Sequence, residues 1–266
     1  MHIHVAAMGQ FKRVAPFLLF LFRRQPKYVT LHSGTFVREF DHFLSKIYLR
    51  EMVKHLTKII AVNLEQYNFL RDNRIPTSKL ALIPAFIPAE PVMDLPPEIL
   101  RKPKPGNTVV VTSGYLSALY NYDVLIDCIE RLDEEVYTFI FAFYNKSDQE
   151  YEEHILGRLR NANNVVIFRD QTPEIFLSIL NVTNIYVRTT VTDGDAVAIR
   201  EALYLGKNVF ASDCVEHPQG CVLFDEAVPE SLLRLFIEYD KNPHEPEPSH
   251  TITNGLYVLR AYLESV

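Results

Sequence analysis

Short apolar segments alternate with helical patterns along most of this chain, and this alternation is the strongest constraint on its fold. The segments are rich in β-branched and aromatic residues, a composition that predicts strands. After residue 106 the predicted strands are 108–113, 137–144, 164–169, 184–189 and 208–213, with predicted helices at about 121–132, 148–161, 173–181 and 195–205. Continuous apolar strands separated by helices are typical of a parallel sheet covered on both faces. We therefore predict a C-terminal Rossmann-like domain over residues 107–250.

The first 88 residues show the same alternation with fewer elements. The predicted strands are 2–8, 27–32, 58–63 and 79–84, and the helical patterns lie at 36–57 and 64–73. A doubly wound unit needs more than three or four strands to bury its sheet, and the chain begins inside a predicted strand. We therefore expect a partial N-terminal Rossmann-like domain over residues 1–88, which is either truncated or stabilised by another chain.

A proline-rich segment separates the two predicted domains. Seven prolines lie between residues 84 and 105. Proline fixes φ and removes a backbone donor, so we predict an extended linker over residues 89–106. The final segment, 251–266, contains a helical pattern that we expect to pack back on the N-terminal domain. The predicted architecture is α/β, with two Rossmann-like parallel-sheet domains that face a cleft.

Charge is distributed unevenly between the two predicted domains. Residues 1–88 hold 13 Lys and Arg against 5 Asp and Glu, whereas the remainder holds 14 against 28. The basic front indicates contact with anionic lipid or with a phosphorylated acceptor, and a chance distribution over helix surfaces is the alternative. The apolar run 14–22 is too short to span a bilayer, which takes about 20 apolar residues. It predicts a core helix, or a helix on a membrane surface because basic residues flank it.

Several functional classes lack their sequence signatures. There is no phosphate-binding glycine–lysine loop, no nucleophile elbow, no zinc-protease motif and no basic stripe typical of nucleic-acid binding, so we expect no nucleic-acid partner. The three cysteines match no zinc or redox spacing, which indicates a reducing compartment. His2 and His4 have no carboxylate or cysteine near them in sequence, so we predict no metal site.

The end of strand 184–189 carries the strongest candidate site, because open α/β sheets bind ligands beyond the carboxyl ends of their strands. The segment Asp193-Gly194-Asp195-Ala196 begins the next predicted helix, whose N-terminus can bind an anion. Asp195 is predicted to cap that helix, and Gly194 lets the backbone approach a ligand. Glu201 lies almost two turns into the helix, where a carboxylate needs a partner such as a sugar or ribose diol. Arg188 and Asp193 flank the same strand end.

Two further strand ends carry weaker candidates. Ser113-Gly114-Tyr115 follows the first strand of the C-terminal domain, where glycine permits either close approach of a phosphate or a plain turn. His32-Ser33-Gly34 follows a strand of the N-terminal domain. The histidine is either a hydrogen-bonded structural residue or a functional group on the acceptor side of a cleft.

These residues together resemble family 4 glycosyltransferases of the GT-B fold, over about residues 28–240. In that family an acidic residue precedes a glutamate with seven residues between them, and Asp193 and Glu201 have this spacing. Residues 29–34, 59–88 and 201–213 resemble other segments of the family. The resemblance implies transfer of a sugar from a nucleotide-sugar, with retention of configuration and without a metal or other cofactor.

The resemblance also implies a role for each matched residue. Glu201 would bind the donor ribose and Asp193 the hydroxyls of the transferred sugar. The backbone N–H groups of residues 194–196 would hold the sugar or the diphosphate, a charge-stabilising role for the leaving group.

The sequence departs from the family at two residues that usually bind the donor diphosphate. The family usually has an Arg directly after the strand-end glycine and a Lys five residues later, and here these positions are Tyr115 and Tyr120. A leaving diphosphate needs a cation, so another residue must supply it. Arg188 is the first candidate, with Lys146 and Arg169 as reserves.

We expect a hexosyl- or related glycosyltransferase of cell-envelope polysaccharide or glycolipid synthesis. Its partners would be a nucleotide-sugar and a glycan or lipid-linked acceptor, and the basic N-terminal region would contact a membrane surface. Its place would be the cytoplasm, peripheral on the inner face of the membrane. The main alternative is a non-catalytic nucleotide-sugar-binding or partner subunit, which the short first domain and the lost Arg and Lys favour. A GT-B epimerase is the third possibility, against which stands the lack of a suitable acid–base set.

Overall fold

The computed structural model describes residues 1–86 apart from 7 and 23, residues 106–244 apart from 227, and residues 91, 95, 246 and 260. The described chain divides into two compact units. The first contains residues 1–86 and 192–196, and the second contains residues 106–191 and 197–244. The predicted linker 89–106 and the predicted helix of segment 251–266 lie almost wholly outside the described residues.

The first unit contains a four-stranded sheet in which all neighbours are parallel, in the order β1-β2-β3-β4. Its strands are β1 (His2–Val5), β2 (Tyr28–Leu31), β3 (Lys58–Ala61) and β4 (Leu80–Leu82), and its helices are α1 (Met8–Leu21), α2 (Phe36–Phe40), α3 (Phe43–Lys54) and α4 (Leu64–Asp72). The buried side chains of β2 and β3 pack with Phe36 and Phe40 into one core. The single helical pattern predicted over 36–57 is two helices, because His42 adopts an extended backbone between them.

The prediction that the apolar run 14–22 is a core helix is wrong. The run is helical, as part of α1, but its apolar side chains point largely away from the core. Phe17, Phe20 and Leu21 are 64%, 72% and 58% exposed, whereas Ala15 is fully buried. An apolar run predicts that one face of a helix is buried against another apolar surface. It does not predict whether that surface belongs to the protein core. Among the described residues no helix combines the length and the apolar character needed to cross a bilayer.

The second unit contains a six-stranded sheet, again with all neighbours parallel, in the order β10-β9-β8-β5-β6-β7. Its strands are β5 (Thr108–Leu116), β6 (Tyr137–Ser147), β7 (Val165–Arg169), β8 (Ile185–Arg188), β9 (Asn208–Ser212) and β10 (Cys221–Phe224). Its helices are α5 (Tyr122–Ile129), α6 (Gln149–Leu159), α7 (Pro173–Asn181), α8 (Val197–Tyr204) and α9 (Pro229–Lys241). Strands β6 and β7 lie on one side of β5, and β8, β9 and β10 lie on the other, so the strand order reverses between β5 and β8.

Phenylalanines on one face of β6 form the centre of the second core. Phe139, Phe141 and Phe143 alternate along the strand and pack with Phe236 of α9. The sequence pattern missed β10 and α9. Val222 and Leu223 of β10 are 44% and 48% exposed, so this edge strand lacks the full burial on which the prediction of the other strands rests.

Candidate functional site

The carboxyl ends of β5 and β8 meet where the strand order of the second sheet reverses, the position at which open α/β sheets bind ligands. Arg188 is the last residue of β8, and its Nη1 atom donates a hydrogen bond to the carbonyl oxygen of Ser113 at 3.1 Å. Ser113 was predicted to end β5 and Gly114 to follow it. They lie inside it, because the strand continues to Leu116 while paired with β6. The structure thus brings Arg188 directly beside the Ser113-Gly114 segment.

A group of tyrosines packs around Gly114. A Cβ atom at this glycine would lie 1.9 Å from Cε1 of Tyr120 and 2.7 Å from the hydroxyl of Tyr122, so no side chain fits there. The ring of Tyr120 stacks on Tyr122 with 5.8 Å between centroids and meets the edge of Tyr115 at 5.9 Å. Tyr115 in turn meets Tyr144 at 5.5 Å. Glycine is therefore required so that the backbone of β5 can rest against these rings.

Tyr120 also holds the guanidinium of Arg188. The Cζ atom of Arg188 lies 4.8 Å from the centroid of the Tyr120 ring, which is a cation–π contact. Thr189 donates a hydrogen bond to the carbonyl of Tyr120 at 2.6 Å and so ties the two segments together. Family 4 glycosyltransferases usually have a lysine at the position of Tyr120. In this chain the Tyr120 ring orients Arg188 from the neighbouring strand instead. The sequence indicates each of these two residues but not their contact.

Glu201 lies in α8, on the same unit as Arg188. Burial raises the pKa of its carboxyl to about 7. Burial also raises the pKa of Tyr144, an effect that the negative charge of Glu201 increases and that a hydrogen bond to Ser113 and the charge of Arg188 oppose. Within the described part of the chain no cation forms an ion pair with Glu201. The second unit therefore gathers a half-buried carboxylate, a guanidinium and a tyrosine cluster in one neighbourhood.

Residues 192–196 of the loop between β8 and α8 belong to the first unit, although the chain enters the loop from the second. A Cβ atom at Gly34 would lie 2.7 Å from the carbonyl carbon of Asp193, and one at Gly194 would lie 2.9 Å from the carbonyl oxygen of His32. The side-chain amide of Asn63 donates a hydrogen bond to the carbonyl of Gly194. Two glycines therefore allow this loop and the end of β2 to touch backbone to backbone.

Asp195 has a partner that the sequence does not indicate. Helix α8 begins at Val197, two residues later than expected, and the carboxylate of Asp195 accepts a hydrogen bond from the backbone N–H of Ala85 at 2.9 Å. Asp193 is buried, and its Oδ1 atom accepts from the N–H of Gly194 at 2.9 Å. Ala196 is also buried. Asp193 lies in the first unit and Glu201 in the second, although the two were predicted as a pair.

His32 has His4 as a neighbour, a residue for which the sequence predicts no functional role. A hydrogen bond of 2.9 Å joins Nδ1 of His4 to Nε2 of His32. Burial lowers the pKa of His32, the charge of His4 lowers it further, and Asp195 opposes both. Ser33 hydrogen-bonds Thr35 through its hydroxyl at 2.9 Å. The parallel register of β1 and β2 places His4 and His32 side by side, and the His-x-His spacing on a strand was the available signal for this pair.

Arg169 and Lys146 were the alternative candidates for the cation at the diphosphate. Arg169 ends β7 and forms an ion pair with Glu152 at 2.5 Å on the surface. The side chain of Lys146 lies outside the described part of the structure. Across the described ranges, no three His, Cys, Asp or Glu side chains come together as a set that could hold a metal ion.

Replacing Gly34 by alanine is expected to destabilise the first unit by about 1–3 kcal/mol, because the added methyl group would meet the backbone of residues 193 and 194. Urea unfolding measures this effect. Gly157→Ala is the matched control: a Cβ at Gly157, inside α6, meets nothing within 4 Å. That variant is expected to gain about 0.5–1 kcal/mol from helix propensity. Equal stability of the wild type and Gly34→Ala would contradict the close contact.

Comparison with known proteins shows similarity in structure and not in sequence. No family model matches the chain, and no curated protein matches it either. The structure of HepE from Anabaena, in complex with UDP and glucose, superposes with a TM-score of 0.72 at 14% identity, over 100% of this chain and 78% of HepE. Sucrose-phosphate synthase from Thermosynechococcus elongatus gives 0.75 at 13% identity, over 99% and 72%. A glycosyltransferase from Rickettsia africae gives 0.63 at 13% identity, over 88% and 72%.

These similarities include the folds of both units, because they extend over most of the chain. The two parallel α/β units predicted from the sequence are confirmed by the sheets of four and six strands. This chain has the GT-B fold of the glycosyltransferases that it resembles.

Proposed function

We propose that this protein is a glycosyltransferase that moves a sugar from a nucleotide-sugar donor to a glycan or lipid-linked acceptor with retention of configuration. One observation carries the proposal. In a GT-B fold, Gly114 and Arg188 lie at the strand reversal of the second sheet, and Glu201 and Arg188 both act on the neighbouring Tyr144. These are the residue types needed beside a diphosphate and a ribose. The HepE structure in complex with UDP and glucose supports a nucleoside diphosphate sugar as the donor class.

Each residue has a proposed part in binding and leaving-group departure. The guanidinium of Arg188 stabilises the charge that develops on the diphosphate, and Glu201 accepts hydrogen bonds from the ribose diol. Asp193 accepts from hydroxyls of the transferred sugar, and backbone N–H groups of residues 194–196 face the sugar or diphosphate. His32, Ser33 and Gly34 belong to the acceptor side. The roles of Tyr115 and Tyr120 are to pack against the donor and to orient Arg188. We propose that catalysis needs no metal. Sugar transfer that continues in the presence of a chelator would support this.

Donor binding is tested by titrating the protein calorimetrically with a panel of nucleotide-sugars and the corresponding nucleoside diphosphates. We expect one nucleotide to bind at micromolar concentration, and the same nucleotide to lose affinity in Glu201→Ala. No binding of any member of the panel would contradict the proposal.

A non-catalytic nucleotide-sugar-binding or partner subunit is the second candidate. The observation that favours it is the presence of Tyr115 and Tyr120 where the resembling family has two cations. This candidate predicts donor binding without donor cleavage or transfer. The glycosyltransferase proposal predicts both binding and turnover, so a turnover assay on the wild type separates the two.

We also propose that the first unit lies on the inner face of the cytoplasmic membrane, where cell-envelope polysaccharides or glycolipids are assembled on lipid-linked acceptors. Apolar side chains of α1 and α3 support this, since Phe43 and Leu44 are 75% and 77% exposed in addition to the exposed residues of α1. Arg13 and Arg24 are exposed next to α1's apolar residues. An apolar face with basic neighbours is typical of binding to anionic bilayers.

Membrane contact is tested by sedimentation with vesicles. The wild type is expected to bind vesicles that contain anionic lipid. Phe17→Ser/Phe20→Ser is expected to lower the bound fraction at least about tenfold, because the variant lacks two exposed rings that would enter the bilayer. Leu223→Ser is the control, since Leu223 is an exposed apolar residue of the second unit. If the double variant and the wild type bind vesicles equally, the proposed surface is wrong.

A further inference from the structure

The first unit contains a cavity of about 350 Å³ that is separate from the candidate site. It is lined by residues from the end of α3 and from the segment between α4 and β4: Arg50, Val53, Lys54, Arg74, Ile75, Pro76 and Lys79. Lys58 begins β3 and Leu80 begins β4, so the cavity lies at the amino ends of these strands. His32 and Gly34 follow the carboxyl end of β2, at the opposite edge of the same sheet. The volume is within the usual range for small-molecule sites.

All charged residues in the lining of this cavity are basic. Four of its seven lining residues are cationic and none is acidic. Lys54 forms an exposed ion pair with Glu51. In the ranges that the structure describes, neither Arg50 nor Arg74 has an acidic partner. A cavity with four cations and no acid in its lining favours a ligand that carries at least two negative charges.

Arg74 is held in a backbone conformation that arginine rarely adopts. Its φ is +62°, in the left-handed region, directly after the end of α4. Its N–H donates to the carbonyl of Arg71, and the N–H of Ile75 donates to the carbonyl of Leu70, so this is the helix-ending position that glycine usually occupies. A strained arginine where glycine would fit better indicates that the guanidinium itself has a use.

The other cations are held in place by the backbone. Arg50 donates from Nε to the carbonyl of Asn73 at 2.9 Å, which directs the guanidinium to the segment that contains Arg74. Lys79 donates from Nζ to the carbonyls of Val53, Lys54 and Leu56 at 2.8–2.9 Å. Lys79 therefore caps the end of α3 and forms one wall, which leaves the two arginines as the groups that would contact a ligand. Val53 and Ile75 are buried and give the cavity an apolar floor.

We propose that this cavity is a binding site for a phosphorylated ligand, with Arg50 and Arg74 as its phosphate-binding residues. Guanidinium groups bind phosphate oxygens in pairs, and two guanidinium groups suit a diphosphate or a doubly charged phosphomonoester. The apolar floor accommodates a short apolar group attached to the phosphate. The ligand is either a free phosphate compound or the headgroup of a phospholipid. The proposal is independent of the function proposed for the strand-end residues.

Two probes distinguish these sources: inorganic pyrophosphate, and a short-chain phosphatidic acid below its micelle concentration. Binding is measured calorimetrically on the full chain and on Arg188→Ala, in which any binding through Arg188 is removed. Pyrophosphate binding that persists in Arg188→Ala supports a free phosphate ligand. Binding of phosphatidic acid alone supports a lipid headgroup. No binding of either probe at millimolar concentration overturns the proposal.

Arg74→Gly is the decisive variant, because it removes the guanidinium and relieves the backbone. We expect it to lower probe affinity at least about tenfold. Its Tm is expected to stay the same or to rise by about 2 °C, an outcome that rules out unfolding as the cause. Arg50→Gln is expected to show a similar loss of affinity. Arg71→Ala, at an exposed arginine paired with Asp72, is the control. Unchanged affinity in Arg74→Gly, or an equal loss in Arg71→Ala, would overturn the proposed site.

Discussion

Replacing Arg188 by alanine is expected to lower sugar transfer at least about a hundredfold, which is the scale of losing one donor that stabilises charge in the transition state. The guanidinium lies at the strand reversal of the second sheet, where it contacts the carbonyl of Ser113 and the ring of Tyr120. With Tyr115 and Tyr120 in place of cations, Arg188 is the residue that we propose to stabilise the departing diphosphate. The measurement is the steady-state rate of transfer with saturating donor.

Two further variants test whether the transfer rate falls in Arg188→Ala because the positive charge is lost or because the protein is misfolded. Arg169→Ala is the control, because Arg169 also ends a strand but pairs with Glu152 on the surface. Its rate is expected to stay within about twofold of the wild type. In the double variant Arg188→Ala/Tyr120→Lys, the ammonium would enter the space of the ring that now lies 4.8 Å from the guanidinium. Part of the lost rate is expected to return. Normal turnover in Arg188→Ala would contradict the assignment of the cation.

Replacing Glu201 by glutamine is expected to stabilise the protein at pH 8 while weakening donor binding. Burial raises the pKa of this carboxyl from 4.5, the ordinary value for glutamate, to about 7 in the folded protein. The neutral form is therefore favoured by folding, and this stabilisation is lost as the pH rises through 7. The difference corresponds to about 3 kcal/mol in the free energy of unfolding. Glutamine stays neutral, so Glu201→Gln is expected to match the wild type near pH 4.5 and to exceed it at pH 8.

Donor binding is expected to change in the opposite direction. If the ionised carboxylate accepts hydrogen bonds from the ribose, the affinity of the wild type rises about tenfold from pH 6 to pH 8, in proportion to the ionised fraction. Glu201→Gln is expected to bind at least about tenfold more weakly at pH 8 and to lack this pH dependence. Glu238→Gln, at an exposed position of α9, is the control for both measurements. A variant that keeps full donor affinity at pH 8 would remove Glu201 from the binding site.

The apolar pattern of the sequence predicts the two sheets well. Parallel strands are buried on both faces, so most of their residues are apolar and each strand is visible in the local sequence. Strand limits are less certain where polar residues or glycine continue the pairing. Ser113 and Gly114 look like the end of β5, yet both pair with β6. The edge strand β10 was missed for the converse reason, since its partial exposure makes its local pattern weaker.

Contacts between distant segments explain most of the differences at the candidate sites. The spacing of Asp193 and Glu201 is visible in the sequence, but the backbone contact of Gly194 with His32 depends on how residues 162 positions apart meet. The same holds for Arg188 above Tyr120 and for His4 beside His32. Local sequence shows which residues have suitable chemistry, and only tertiary structure shows which of them are neighbours.

The central claim, that the protein is a sugar transferase, is tested most directly by donor turnover. Purified protein is incubated with each nucleotide-sugar of the panel, with and without glycan and lipid-linked acceptors, while NMR follows the anomeric proton. We predict cleavage of one donor and a product that keeps the anomeric configuration, with little turnover by Arg188→Ala. Tight binding of a nucleotide-sugar without any cleavage or transfer would contradict the claim and favour a non-catalytic subunit.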